Sequence, residues 1–205
     1  MQVISLDRDL PEVWTLGPAV RALTAGDLVV IPTDTIYALA CDPWNRQAVN
    51  QLYAAKGMSK TKRCAVLCGH LKEVGAVARA VSDDAFRFMR THLPGAYTVL
   101  LHASRDLPKQ ATGKRKTIGV RMPAHAVPQA LVEDFGGPIM VTSLPGWIDG
   151  EEMDPVTISK TELRKRPAVV VDQGPIHVTP STVVDFTVSP PELIREGKGP
   201  VDIAL

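Results

Sequence analysis

Leu28-Val29-Val30-Ile31-Pro32-Thr33-Asp34-Thr35-Ile36-Tyr37 runs from an apolar segment through a proline into a turn rich in polar groups. Leu28–Ile31 is short, continuous and largely β-branched, the pattern of a strand buried on both faces. Gly26-Asp27 punctuates its start. Pro32 has no N–H to give to a ladder and ends it. The next residues offer two hydroxyls, a carboxylate and a phenol. Sheets of α/β folds carry their sites at strand ends, so this turn is a candidate site. An Asp/Thr turn that bonds only to itself fits the pattern equally well.

Outward from this strand, short apolar runs and helical spacings follow one another without strict alternation. Asp42-Pro43 reads as a helix start, with an acid at the cap and proline at the first helical position. Val49, Leu52, Tyr53 and Lys56 hold helical spacing, and Gly57 stops it. Cys64–Cys68 is a second apolar run and Leu71–Ala80 is expected to be helical. Ser82 caps a helix through Phe86, Met89 and Arg90, broken at Pro94-Gly95. Tyr97–Leu101 and Thr117–Val120 read as strands, Ala126–Asp134 as a helix, and Ile139–Val141 as a strand after Gly136-Gly137-Pro138. Residues 143–154 read as a loop, Thr161–Arg166 as a short helix, and Ala168–Val171, Thr182–Asp185 and Leu193–Arg195 as strands. Seven or eight strands with four or five helices predict an α/β fold. We expect a single domain over residues 1–205, built on a twisted mixed parallel/antiparallel sheet with flanking helices.

Composition narrows the function classes. The 205 residues are 45% hydrophobic and 22% charged, enough to bury a core without disulfides. No apolar run approaches the roughly 18 residues a membrane helix needs. Met1–Ser5 lacks the features of a secretion signal, and three cysteines do not make a disulfide framework, so a cytoplasmic location without a membrane partner is expected. Net charge is +1, but Lys56, Lys60, Lys62 and Arg63 cluster, as do Lys114–Lys116 with Lys109 and Arg121, and Lys160 with Arg164–Arg166. Such clusters are anion or nucleic-acid contacts, or solvated faces. No P-loop, strand-linked G-x-G-x-x-G or G-x-S-x-G is present. Cys64, Cys68 and His70, with Cys41, lack zinc spacing and read as core rather than as a metal site. What remains is a set of hydroxyls and guanidiniums flanking apolar runs: Thr35, Arg121, Ser143, Ser181 and Arg195. An arginine after an apolar strand suits a carboxylate or phosphate, or else a local acid in a buried ion pair. Trp147, between Gly146 and Gly150, belongs to a lid or is an ordinary packed residue of a surface loop.

Six of these segments, in order, resemble motifs of the YrdC-like family. Val30-Ile31-Pro32-Thr33-Asp34-Thr35-Ile36-Tyr37-Ala38-Leu39 is similar to its PT(D/E)T-x-YGL opening, and Lys56-Gly57 to the start of its K-x-R segment. Leu93-Pro94-Gly95-Ala96-Tyr97-Thr98 is similar to PGPxT and Thr117–Pro123 to xxVRxP. Pro180–Asp185 matches PSTVVD, and Ile194-Arg195-Glu196-Gly197 resembles the closing xxRxG. The resemblance spans about residues 10 to 200. It implies the twisted-sheet fold and an activity: synthesis of L-threonylcarbamoyladenylate from L-threonine, bicarbonate and ATP with Mg²⁺, releasing pyrophosphate, for modification of adenosine 37 of tRNA. By the same resemblance, Thr35, Arg121, Ser143 and Ser181 would surround threonine, Lys56, Thr117 and Arg195 the nucleotide, with Lys56 and Arg121 as the catalytic cations.

The chain departs from the family pattern at Met58, where the K-x-R arginine stands, at Pro145, where S-x-N has asparagine, and at Ala38. These departures resemble the YciO branch. Each lost polar contact to a charged group is worth roughly 1.5–3 kcal/mol. Two alternatives follow. One is a double-stranded RNA or tRNA binder that keeps the basic cavity without the chemistry, though 5% aromatics leave little for base stacking. The other is a nucleotide-dependent enzyme using a different amino acid or acyl acceptor.

Overall fold

The structure, a computed structural model, describes residues 1–58, 64–112 and 116–201. The strand expected at 28–31 is present as Val29–Ile31 (β2), after β1 (Gln2–Ser5) and helix α1 (Gly17–Thr24). Then come β3 (Ala38–Cys41), α2 (Arg46–Ala55), β4 (Ala65–Leu67), α3 (Val74–Val77), α4 (Asp83–His92), β5 (Tyr97–His102), α5 (Lys109–Thr112) and β6 (Thr117–Arg121). The chain continues through α6 (Ala126–Phe135), β7 (Ile139–Ser143), β8 (Glu152–Met153), α7 (Pro155–Thr161), β9 (Val169–Asp172), β10 (Ile176–His177), β11 (Thr182–Asp185) and β12 (Glu192–Arg195). Ten strands form one sheet in the order β1-β9-β2-β3-β7-β4-β6-β5-β11-β12, and β8 pairs with β10 apart from it. The expected mixture of directions is present: β2 lies parallel to β9 and antiparallel to β3, and β6 parallel to β4 and antiparallel to β5.

Side chains alternate across this sheet with the period of two that strands impose. On one face Val29, Ile31, Ile139 and Val171 pack under α1 and α6, against Leu16, Leu23, Val127 and Leu131. On the other, Val30, Leu39, Cys41 and Met140 meet Ala48, Val49 and Leu52 of α2. Farther along that second face, Val66, Val99, Ile118, Val120 and Val184 are covered by Ala85, Phe88 and Met89 of α4. The intervening residues Ala65, Thr98, Leu100, Gly119 and Val183 therefore point the opposite way, and they floor a cavity. Cys41, Cys64 and Cys68 are all buried.

Several local expectations are corrected. Helix α2 starts at Arg46 with Asn45 as its cap, accepting from Gln47 N and Ala48 N; Asp42 instead accepts from Trp44 N and holds the turn before it. The acid-then-proline signal operates at Asp154-Pro155, so the helix expected at Thr161–Arg166 lies earlier, at Pro155–Thr161. Leu71–Ala80 is a 3₁₀ turn followed by the four-residue α3, ending where Ala78 bridges Ala103. The segment 143–154 is not wholly loop, since β8 lies in it. The sheet also exceeds the seven or eight strands expected, because β1 and β3 carry weak local signals.

Candidate functional site

Residues 33–36 form the self-bonded turn, and Thr35 and Ile36 of that turn also line a cavity. Thr33 Oγ1 accepts from Thr35 N (3.1 Å) and Ile36 N (3.2 Å), donates to Ile36 O (2.8 Å), and lies 3.1 Å from Thr35 Oγ1. Thr35 lines the cavity. Tyr37 turns away. Its hydroxyl donates to Gly174 O (2.9 Å) and accepts from Gln173 N (3.0 Å). Burial pushes the Tyr37 phenol up to about 12, consistent with a structural tie.

The cavity measures about 300 Å³. Arg121 and Arg195 line it from separate strand ends, and Lys56 stands behind it from a helix end. Arg121, at the end of β6, lines it and donates through one terminal nitrogen to Asp34 Oδ1 at 2.7 Å. The other Asp34 oxygen accepts from Ala124 N (3.1 Å), and Lys198 Nζ donates to Asp34 O (2.6 Å). Arg121 Nε is buried with no hydrogen-bond partner among the described residues. Burial lowers the Arg121 guanidinium from its ordinary value against the pull of Asp34, and the nearby Arg195 cation lowers it further.

Arg195, at the end of β12, donates to Ser181 O (3.0 and 2.7 Å) and Ser181 Oγ (3.2 Å). Ser181 Oγ is 2.8 Å from Thr98 Oγ1. Burial lowers Arg195 as well, opposed by Asp149 of the 143–154 segment. Lys56, which caps the C-terminus of α2, crosses to the end of β7. Its Nζ donates to Ser143 O (2.6 Å), Ser143 Oγ (3.1 Å) and Thr142 Oγ1 (3.1 Å). Met58 packs alongside, with its sulfur 4.0 Å from Thr142 Oγ1.

Thr35, Arg121, Ser143, Ser181 and Arg195 thus all line one cavity, and Lys56 joins it through Ser143. Thr117 does not line it. It stands at the opposite end of β6, on the same face as Arg121 but about 13 Å along the strand. Its Oγ1 is buried and has no hydrogen-bond partner among the described residues. Lys60, Lys62, Arg63, Lys114 and Arg115 lie outside the described residues.

The residue reading missed Thr98, Ile194 and Gly119. Only Gly119 left a legible signal, a glycine inside the β-rich run Thr117–Arg121, where the missing side chain marks a bulge or a close approach. Trp147 lines the cavity too.

Chemically, two guanidiniums at the lining and the Lys56 ammonium behind Ser143, with the Asp34 carboxylate already bonded to Arg121 and Asp149 acting on Arg195, give a cationic surround whose chemistry suits an anionic ligand. Among the described residues the lining supplies hydroxyls and guanidiniums but no carboxylate, and no group of three His, Cys, Asp or Glu side chains is placed to share a metal ion. The donor set does not fit a protein-held Mg²⁺. No helix of the described residues is long and apolar enough to cross a membrane.

One titratable group stands just behind Asp34. His125 caps α6 through Nδ1, which accepts from Val127 N at 3.2 Å and so must be unprotonated. Burial lowers its pKa below the ordinary 6.5, against Asp34 and a bond with Gln173. The folded state therefore prefers neutral His125. Its contribution is complete above the unfolded value and declines as pH falls from there toward the folded value. Melting temperature is expected to drop across that window in the wild type, and His125→Asn, which keeps a capping acceptor, should lose that part of the pH dependence. Equal slopes in the two proteins would refute this assignment.

The sequence and the fold have counterparts. Residues 21–197 match the model of the Sua5/YciO/YrdC family, described as telomere recombination. The uncharacterized protein YciO of Escherichia coli K12 is 33% identical over 203 residues, covering 98% of this chain and 97% of that protein. Its crystal structure superposes with a TM-score of 0.87, covering 98% of each chain. The threonylcarbamoyl-AMP synthase of Bos taurus is 33% identical over 184 residues, covering 85% of this chain and 65% of that one. The crystal structure of P. abyssi Sua5 complexed with L-threonine is 26% identical, with a TM-score of 0.84, covering 96% of this chain and 58% of that one. With a family match over most of its length, and a relative 33% identical across nearly the whole of both chains, this chain belongs to the Sua5/YciO/YrdC family.

Proposed function

We propose that the protein is a threonylcarbamoyl-AMP synthase that condenses L-threonine, bicarbonate and ATP, in the cytoplasm, to supply tRNA modification. The observation that carries this reading is the convergence of Lys56, Arg121 and Arg195 with the hydroxyls of Thr35, Ser143 and Ser181 at one cavity. The bovine relative bearing that activity's name and the threonine complex of the P. abyssi relative support it.

In the reaction, the threonine amine adds to bicarbonate and water leaves, giving a carbamate. A carbamate oxygen then attacks the α-phosphorus of ATP as the bond to the bridging oxygen breaks and pyrophosphate departs. The protein's part is positioning and charge neutralisation. Thr35, Arg121, Ser143 and Ser181 would hold threonine, its carboxylate on the Arg121 guanidinium. Lys56 would meet the phosphates at the β7 end of the cavity. Thr117 would serve the nucleotide farther along the same sheet face. Arg195 contacts Ser181 and stands near Arg121, which ties it to the junction between the two substrates. Mg²⁺ would come with the ATP phosphates, as part of the substrate.

The test is pyrophosphate release from ATP with and without L-threonine and bicarbonate, with the labelled adenylate resolved by chromatography. Release that needs both co-substrates is expected. Absence of the adenylate at high enzyme concentration would overturn the reading. If tRNA then bound with steeply salt-dependent affinity, the RNA-binding alternative would stand in its place. If another amino acid supported release, the substrate assignment alone would change.

A further inference from the structure

We propose that Asp34 is a positioning residue: it fixes the Arg121 guanidinium and sets the charge that the cavity presents to its ligand. This rests on the assignment of Arg121 to the ligand's carboxylate. Asp34 is not itself among the cavity-lining residues; it stands behind Arg121 and meets it at 2.7 Å, with the two side chains 8% and 11% exposed. A guanidinium has five donors in a planar fork. Asp34 engages only one terminal nitrogen of Arg121, and Nε has no partner among the described residues.

The carboxylate is itself held at both oxygens, and the residue's backbone is held at a third point. Oδ1 takes Arg121, Oδ2 takes Ala124 N, and the Asp34 backbone carbonyl takes Lys198 Nζ from the segment after β12. A carboxylate fixed in this way keeps the planar fork in one orientation, so that its free donors are arranged before any ligand arrives.

The pairing also has an electrostatic consequence. Arg121 and Asp34 together are close to neutral, so a ligand carboxylate on Arg121 meets a guanidinium whose charge is already largely offset. The Thr35 side of the cavity, one residue from Asp34, then favours a zwitterionic head over a bare carboxylate, because the acid's residual field offsets an ammonium close by. An α-amino acid fits that requirement better than its deaminated analogue. Without Asp34 the preference shifts toward the analogue.

The test uses two variants and two readouts. In protein labelled with nitrogen-15 arginine, the Arg121 Nε–H resonance, assigned by its absence in Arg121→Lys, is expected to exchange slowly in the wild type. It should broaden or exchange faster in Asp34→Asn and recover in Asp34→Glu. In calorimetric titrations, Asp34→Asn should weaken L-threonine by about tenfold or more. It should weaken the deaminated 2,3-dihydroxybutyrate far less, and leave ATP affinity within about twofold of wild type. Melting curves confirm that each variant is folded. An unchanged Arg121 resonance in Asp34→Asn would overturn the proposal, as would an equal loss of all three ligands in a folded variant. If the resonance responds while wild-type protein binds no L-threonine, the positioning role stands and the synthase reading fails.

Discussion

Arg121→Ala is expected to cut threonine-dependent pyrophosphate release by about 10²–10³-fold, the usual cost of removing a fixed donor that faces developing or bound charge. It is also expected to destabilise the fold, for a separate reason. The Asp34 side chain is only 8% exposed, and the truncation leaves it with Ala124 N as its remaining side-chain partner. Removing one member of a buried ion pair costs about 3–5 kcal/mol, which for a chain of this size lowers Tm by roughly 10 °C or more. The two effects can be separated. Asp34→Ala/Arg121→Ala removes the stranded carboxylate and should recover much of the Tm, because replacing both partners is far cheaper than orphaning one. It should recover none of the activity, because the guanidinium is still missing. Activity returning with stability in the double variant would show that Arg121 acts only as a structural partner of Asp34.

That residue also shows what sequence could and could not reveal. An arginine ending an apolar strand has two readings, an anion contact or a local ion pair; the ion pair is present, to Asp34, and the same guanidinium lines the cavity. Local pattern could not choose between them, because the partner lies 87 positions away. The Lys56–Ser143 contact is equally distant, and such tertiary meetings leave no periodic trace. By contrast β2, β6 and β11 were legible, since each is a short β-rich run bounded by turn residues.

The helix starting at Arg46 was placed too early because Asp42-Pro43 carries the same cap-and-proline signal as Asp154-Pro155. Local chemistry allows a helix at both, and only packing selects. Strand β3, Ala38-Leu39-Ala40-Cys41, has no β-branched residue. It is strand because β2 and β7 flank it and its backbone groups need ladder partners there. Thr117 was singled out only by family resemblance. Its buried hydroxyl, without a partner among the described residues, and its place on the cavity's sheet face keep it a candidate for the nucleotide.

Gly119→Val is expected to remove activity by about 10²-fold while leaving a folded protein, although strand propensity alone would predict a gain. The reason lies on the cavity floor. A Cβ at Gly119 would sit 2.9 Å from Thr98 Cγ2 and 3.3 Å from Ala65 Cβ, on the face that lines the cavity. Overpacking of this kind costs about 1–3 kcal/mol, and the rest of the added side chain occupies ligand space. Thr98 is also 2.8 Å from Ser181 Oγ, which contacts Arg195, so pushing Thr98 aside disturbs two proposed ligand contacts. Gly119→Ala should fall between glycine and valine. Its defect should be relieved by adding Thr98→Ser, which deletes the colliding Cγ2 and keeps the hydroxyl that meets Ser181. Michaelis constants for L-threonine and ATP across the wild type, Gly119→Ala, Gly119→Val and Gly119→Ala/Thr98→Ser decide the matter. Full activity in Gly119→Val would place the chemistry somewhere other than this cavity. Failure of Thr98→Ser to rescue Gly119→Ala would mean that the alanine acts through the neighbouring strand at Ala65 rather than through the Thr98–Ser181–Arg195 wall.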